Sequence, residues 1–286
     1  GHIGAEDTSG VILHNTIAVN PSSQHPKIIG VLDQWIHNRK EEKDEEWKET
    51  KLWQEASSRI NIDTTKTKVV EVMDREGSVF DIMKNCLSLK HEFLIRSKDN
   101  KIVRNPFQHK LMEAGAKTLA AGYIDIDVQK KEGQKKRKAR LEVKYLSVEI
   151  PGPHGRKDES LECNLVQVVE TDPPEGQEPL NWYLLTSVEV TSFEDALKVI
   201  EWYRYRWIIE EYHKCIKTGC KVESKQLKSA FRIENFLGIA CIIAVKILQI
   251  RDLMRVMPDE LASKVVDPLS LKIIQNYHKI KKDLTV

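Results

Sequence analysis

Long apolar runs, paired cysteines and low-complexity tracts are missing from this chain, and each absence narrows what it can be. The longest apolar stretch, Phe236 to Ile243 continuing to Ile250, is interrupted by Lys246 and reads as too short to span a bilayer. No basic-plus-apolar leader opens the sequence, so the expected location is the bacterial cytoplasm, with no membrane partner. Five cysteines, Cys86, Cys163, Cys215, Cys220 and Cys241, are odd in number and scattered. Cys215 and Cys220 lack the partner pair or histidine spacing of a zinc site, so reduced, packed thiols are expected. Internal repeats are absent as well. Nor is there an excess of one charge: 45 Lys and Arg stand against 43 Asp and Glu, a net of +2, so total charge says little about partners.

What is present fits a protein with a real core. With 286 residues, 41% hydrophobic and 31% charged, a disordered or membrane class is excluded, and one large α/β domain or two smaller ones can be accommodated. Charge is distributed unevenly. Lys130, Lys131, Lys135, Lys136, Arg137, Lys138 and Arg140 make a dense basic run, while Glu41 to Glu46 is acidic. The chain begins at Gly1 rather than Met, which suggests a processed, tagged or truncated product.

Along the chain, Val11 to Val19 and Pro26 to His37 are β-branched segments joined by the turn Asn20-Pro21-Ser22-Ser23, a hairpin expected to form the antiparallel part of a sheet. Glu42 to Ile60 carries Trp47, Trp53 and Ala56 at loosely helical intervals. Lys68 to Met73 reads as a strand that stops at Asp74-Arg75-Glu76-Gly77. Ser78 to Leu89 has helical spacing and His91 to Ser97 is another strand, completing a strand-helix-strand unit. In such sheets ligands gather at the strands' carboxyl ends, where Asp74 sits. From Phe107 to Ser187 the pattern becomes period two, in Tyr123 to Val128, Arg140 to Val148, Cys163 to Val169 and Trp182 to Thr186, and reads as a β-rich insertion. Ser192 with Asp195 three residues later opens a helical region that Gly219 can close. Lys221 to Met257 reads as at least one further helix, and Pro258 and Pro268 punctuate a shorter tail.

One helical region carries a pattern with chemical content. Tyr203, Arg206, Glu210 and Lys217 lie at offsets of three, seven and fourteen; on a continuous helix their side chains fall within a sector of roughly 60°. Trp202, Tyr205, Ile208, Ile209, Tyr212 and Ile216 fall on the other flank. The stripe places a carboxylate between cations, a usable site for metal and phosphate, although charged residues on an exposed helical face are, taken alone, usually just solvated. A divalent-metal centre acting on a phosphodiester needs carboxylates converging from different elements, and hard oxygen ligands suit magnesium or manganese. Asp74 and Glu210 meet that requirement, although an aspartate before Gly77 is also a good helix cap.

Tyr203-x2-Arg206-x3-Glu210-x6-Lys217 resembles the Y-(2)-R-(3)-E-(6)-K signature of the bacterial insertion-sequence DDE transposases, a cut-and-paste family. The resemblance continues in Asp74-Arg75-Glu76, in Phe93-Leu94-Ile95-Arg96-Ser97-Lys98, in Asn181-Trp182-Tyr183-Leu184-Leu185-Thr186-Ser187, and in His213-Lys214 with Lys217-Thr218-Gly219, and it covers most of residues 1 to about 255. It implies a ribonuclease H-like α/β fold, a mixed sheet flanked by helices with a β-rich insertion, about 104–188, ahead of the glutamate-bearing helix. The implied organisation is a catalytic core over 1–220 and a helical, truncated region over 221–286.

Carried over residue by residue, the resemblance makes Asp74 and Glu210 catalytic metal ligands in a centre of two Mg2+ or Mn2+ ions. Tyr203, Arg206 and Lys217 would contact phosphates near the cleaved end of double-stranded DNA, and Arg96 and Lys98 the transposon-end DNA. Trp182 matches a position that stacks on a flipped base, and Trp207 an aromatic beside that base; for Trp182 a core position in its strand is the competing reading. The basic run from Lys130 to Arg140 would be a phosphate-contacting loop or a merely solvated one. A homodimer and association with the nucleoid are also implied.

The match breaks at the first strand, where the family carries a third catalytic aspartate. Asp7 lies only four residues before the Val11 strand, and Asp63-Thr64-Thr65 comes after the hairpin, in the wrong order for the sheet. The expectation is therefore a transposase by descent with its first strand missing and its catalysis impaired. Two alternatives remain open: a DNA-binding inhibitor of an intact copy, and a metal-dependent nuclease of the same fold.

Overall fold

A computed structural model describes residues 11–21, 26–38, 49–105, 109–128, 137–225, 227, 229–264 and 266–279. Asp7, Phe107, the acidic run 41–46, most of the hairpin turn and the basic residues 130–136 lie outside them. Through the described residues the chain divides into two compact units, Trp47–Arg206 and Gly1–Glu46 with Trp207–Val286.

The first unit is built on a six-stranded mixed sheet. Its members in chain order are helix α1 (Glu49–Arg59), strand β3 (Val70–Met73), α2 (Phe80–Ser88), β4 (Glu92–Arg96), α3 (Leu111–Lys117), β5 (Gly122–Val128), β6 (Arg137–Pro151), β7 (Ser160–Glu170), β8 (Asn181–Thr186) and α4 (Phe193–Arg204). The spatial order of strands is β3-β4-β8-β7-β6-β5. Only β3 and β4 run parallel, with Met73 beside Ile95, and α2 makes the crossover that a parallel pair requires. Strand alternation divides the core in two. Phe93, Ile95, Leu165 and Leu185 face a cluster with Phe80, Ile82 and Met83 of α2, while Leu94, Val166 and Leu184 face Ala196, Val199, Ile200 and Tyr203 of α4.

This mixed sheet flanked by helices is compatible with the ribonuclease H-like expectation. The β-rich segment is not a separate appendage: β8 inserts between β4 and β7, so its strands extend the same sheet. Period-two patterning identifies strands but carries no information about their neighbours, and α3 escaped the same reading because it is only seven residues long. The end of the basic run is also strand rather than loop. Arg137 is bonded to buried Glu170, Lys138 and Arg140 sit opposite Asp127 and Asp125, and the Arg140 guanidinium lies 5.0 Å over the Tyr123 ring. Behind the parallel pair, Ser57 of α1 donates to Glu71 Oε2 at 2.6 Å and His91 Nδ1 meets Glu71 Oε1 at 2.7 Å, a buried polar chain joining three elements.

The second unit contains a hairpin, β1 (Val11–Asn20) and β2 (Lys27–Asn38), which forms a two-stranded sheet of its own rather than the antiparallel part of a larger one. Helices α5 (Trp207–Lys214), α6 (Ala230–Val256) and α7 (Pro268–His278) complete it. Ile28 of the hairpin packs with Tyr212, Ile216, Leu237, Cys241, Ala244, Val245 and Leu248, and Gln249 Nε2 donates to the Ile28 and Ile29 carbonyls at 2.9 and 3.1 Å. α6 corrects the reading of its apolar run. The helix has 27 residues and is long and apolar enough to cross a membrane, because it continues past Lys246 and beyond both ends of the run. Length and composition alone assign no membrane, and its Leu237-to-Leu248 face is a core face against the hairpin.

All five cysteines are free. Burial pushes the Cys163 thiol up to about 12 and raises Cys86, whose rise the Glu71 carboxylate adds to, so both are protonated packing groups.

Two outcomes follow from this packing. Phe93→Ala removes a fully buried ring from the sheet and should cost about 3–5 kcal/mol in a urea unfolding series. At the start of α4, the Ser192 hydroxyl accepts from Asp195 N at 3.1 Å and donates to its carboxylate at 2.8 Å. That hydroxyl first, then Lys198, lowers the Asp195 carboxyl from its ordinary 3.8 to about 2. A depressed carboxyl stabilises the fold fully above its unfolded pKa and loses that contribution as pH falls toward the folded one. The fall in thermal midpoint between about pH 4 and pH 2 should therefore be smaller in Asp195→Asn than in the parent.

Candidate nucleic-acid interface

Asp74 follows the last residue of β3 and caps the single 3-10 turn Arg75–Gly77, its Oδ1 accepting from Glu76 N at 2.9 Å. The capping role open to it from sequence is thus real, and its second carboxylate oxygen remains for other use. The turn is tight. A Cβ on Gly77 would lie 2.7 Å from Met73 Cβ and 2.8 Å from its Sδ, so glycine is needed for the close approach.

Because β3 and β4 are parallel with Met73 beside Ile95, Asp74, just past β3, and Arg96, the last residue of β4, lie at the same end of the pair. Arg96 is anchored by donation to the Asn181 carbonyl at 3.2 Å. Its guanidinium is destabilised chiefly by burial and then by the charge of Arg75, while the Tyr203 hydroxyl favours it and Arg206 opposes it again. Tyr203, in the last turn of α4, is only 8% exposed and belongs to the core cluster. Burial raises its phenol, Arg206 and Arg96 pull it down, and Asp74 adds to the rise. Trp182 of β8, partly buried, packs on Tyr203 with ring centroids 6.2 Å apart. Lys98 reaches Glu76 at 3.6 Å, and Lys101 Nζ donates to the Ser78 carbonyl at 2.7 Å, so the loop after β4 holds the turn after β3 from two sides.

The helical stripe is not one helix face. α4 ends at Arg204, the Tyr205 and Arg206 amides close a turn onto the Trp202 and Tyr203 carbonyls, and α5 begins at Trp207. Cys215–Gly219 then widens into a π-helical turn. A burial demand on Tyr203 in one cluster and on Tyr212 and Ile216 in another overrides the single 3.6-residue period. Asp74, Arg96, Lys98, Trp182, Tyr203 and Arg206 accordingly belong to the Trp47–Arg206 unit, and Trp207, Glu210 and Lys217 to the other.

Within that second unit Trp207 is 59% exposed, Glu210 sits in the first turn of α5, and Lys217 is 3.6 Å from Glu223. Glu210 and Lys217 both act on His213, one turn away on either side. Burial lowers the imidazole most, Lys217 and then His14 lower it further, and Glu210 raises it. Sequence reading passed over Arg75 and His213 as site residues, although both lie in segments that carried the family resemblance. Asp63 is engaged locally, accepting from Thr65 N at 3.0 Å and from its hydroxyl at 2.5 Å.

The arrangement suits a polyanion: Arg75, Arg206 and the Tyr203 hydroxyl lie about the Arg96 guanidinium at the carboxyl end of a parallel strand pair, with Asp74 acting on Tyr203. Asp74 and Glu210 offer the hard oxygen donors that magnesium or manganese prefers. Among the described residues no group of three or more His, Cys, Asp or Glu side chains gathers as a metal site.

Comparison with known families agrees with this chemistry. The model described as the transposase DDE domain matches residues 37–246, well over half of the chain and inclusive of every site residue named above. This chain therefore belongs to the DDE transposase family, enzymes that act on DNA.

Proposed function

We propose that this chain recognises double-stranded DNA at transposon ends and carries two of the carboxylates, Asp74 and Glu210, of a two-ion centre for phosphodiester cleavage and strand transfer. The observation that supports the reading is the gathering of Arg75, Arg206 and the Tyr203 hydroxyl about Arg96, at the strand end where Asp74 also sits. Arg96 and Arg206 bind the phosphate flanking the scissile bond, Tyr203 orients it through a hydroxyl kept protonated by burial, and Lys98 and Lys217 neutralise neighbouring phosphates. Bound Mg2+ or Mn2+ would lower the pKa of the attacking water or 3′-hydroxyl and offset charge on the leaving oxygen. Trp207, exposed at the start of α5, is placed to stack on an unpaired base, whereas Trp182 supports Tyr203 from the core. An apolar stripe of Leu269, Ile273 and Tyr277 along α7 supports the homodimer. The site of action is the nucleoid of a bacterial cytoplasm.

A two-ion centre with two assigned carboxylates lacks a ligand, which weakens ion binding where transition-state charge is greatest. The 286-residue chain should hold DNA but nick it poorly, and in a cell it would act as an inhibitor of an intact copy.

An end-specific duplex incubated with the chain in magnesium should show no more nicking than the Asp74→Ala, Glu210→Ala double variant. Efficient nicking by the parent alone would rule out impaired catalysis, and joined target ends among the products would exclude a simple nuclease. Trp207→Ala should weaken binding to duplex with one unpaired base by about 1–3 kcal/mol in a fluorescence titration, and leave fully paired duplex unaffected.

A further inference from the structure

Arg75 is exposed, and its backbone opens a turn held at several points. Asp74 caps the turn that Arg75 opens, Ser78 N closes it onto the Arg75 carbonyl at 3.2 Å, Gly77 is wedged against Met73, and Lys101 holds the Ser78 carbonyl. The one acidic neighbour on the turn besides Asp74 is Glu76, which faces Lys98. Among the described residues neither Arg75 nor Arg96 forms an ion pair with a carboxylate, yet the register that sets Met73 beside Ile95 brings the turn that Arg75 opens close to the end of β4, where Arg75 and Arg96 act on each other. Arg206 joins them through Tyr203, which touches both Arg96 and Arg206. Like charges held this close by rigid elements repel, and an anion seated between them relieves that repulsion.

We propose that Arg75 is a third phosphate-binding guanidinium, completing with Arg96 and Arg206 a clamp on the DNA backbone that closes without a metal ion. The clamp rests on the reading of this edge as the DNA site and adds a residue to it. Phosphodiester oxygens are its ligand, taken two at a time by each planar guanidinium. The whole clamp lies within the Trp47–Arg206 unit, so it needs neither Glu210 nor Lys217.

The test is equilibrium binding of the full chain to a short fluorescent duplex in EDTA, followed across salt concentrations. Each lost phosphate contact makes the slope of log affinity against log salt shallower by about 0.9. Arg75→Gln should show that change, as should Arg96→Gln; Arg75→Lys, which keeps the charge, should return most of the slope. Lys198→Gln, an exposed lysine of α4 outside the site, serves as the control and should behave as the parent. Thermal unfolding of Arg75→Gln should match the parent, since the side chain is exposed. If Arg96→Gln is shallower while Arg75→Gln equals the parent, or if Lys198→Gln falls as far as Arg75→Gln, Arg75 has no phosphate contact and the inference is wrong while the DNA site stands. If the parent binds duplex with no salt dependence, the DNA site itself is wrong and the clamp falls with it.

Discussion

The parallel pairing of β3 with β4 is the constraint on which the candidate site depends. Two parallel neighbours end at the same edge, so residues at their two carboxyl ends come to lie side by side. Here those residues are Asp74 and Arg96, of opposite charge. An antiparallel pairing would send them to opposite ends of the strands. What fixes the pairing is apolar: Phe93 and Ile95 lock β4 against α2 on one face and Leu94 locks it against α4 on the other, so a one-residue slip would exchange the two clusters.

Burial then gives these groups their character. Arg96 is half-buried between its anchor at Asn181 and the Tyr203 ring, so its charge is poorly hydrated and calls for a bound anion more strongly than a surface arginine does. Tyr203 is held by the core of α4 and by Trp182, and its hydroxyl stays a neutral donor beside two guanidinium groups. The Ser192 cap matters at this distance because α4 delivers Tyr203 from its last turn; fraying at the first turn would loosen the helix that positions it.

Much of this was legible before any coordinates. Lys68-to-Met73 and His91-to-Ser97 declare themselves by β-branched and aromatic residues ending at charged turns, Ser192 by its cap, and the period-two segments by alternation. Three things were not legible. Alternation names a strand's faces but not its neighbours, so the pairing of β8 with β4 could not be read from it. The break after Arg204 carries no proline or glycine, so the sequence leaves a kink near Arg206 or Trp207 open without fixing it, and a helical wheel drawn across it assumes the continuity it needs. Arg75 had no signal beyond its place in a matching triplet, because its significance comes from Arg96, twenty-one residues away and adjacent only in the sheet.

The break after Arg204 also changes what the four-residue signature can mean. On one continuous helix its spacing would be a statement about a surface, with tyrosine, arginine, glutamate and lysine in register. Across two helices and a π-helical turn it is a statement about a path: Tyr203 and Arg206 complete the cation cluster of one unit, and Glu210 and Lys217 flank His213 in the next. Phosphate recognition by guanidinium groups requires only charge and geometry, both supplied inside the first unit. Ion-dependent chemistry requires carboxylate oxygens as well. The two tasks therefore differ in what they need: the guanidinium cluster is assembled from residues of one unit alone, whereas ion-dependent chemistry also needs carboxylates.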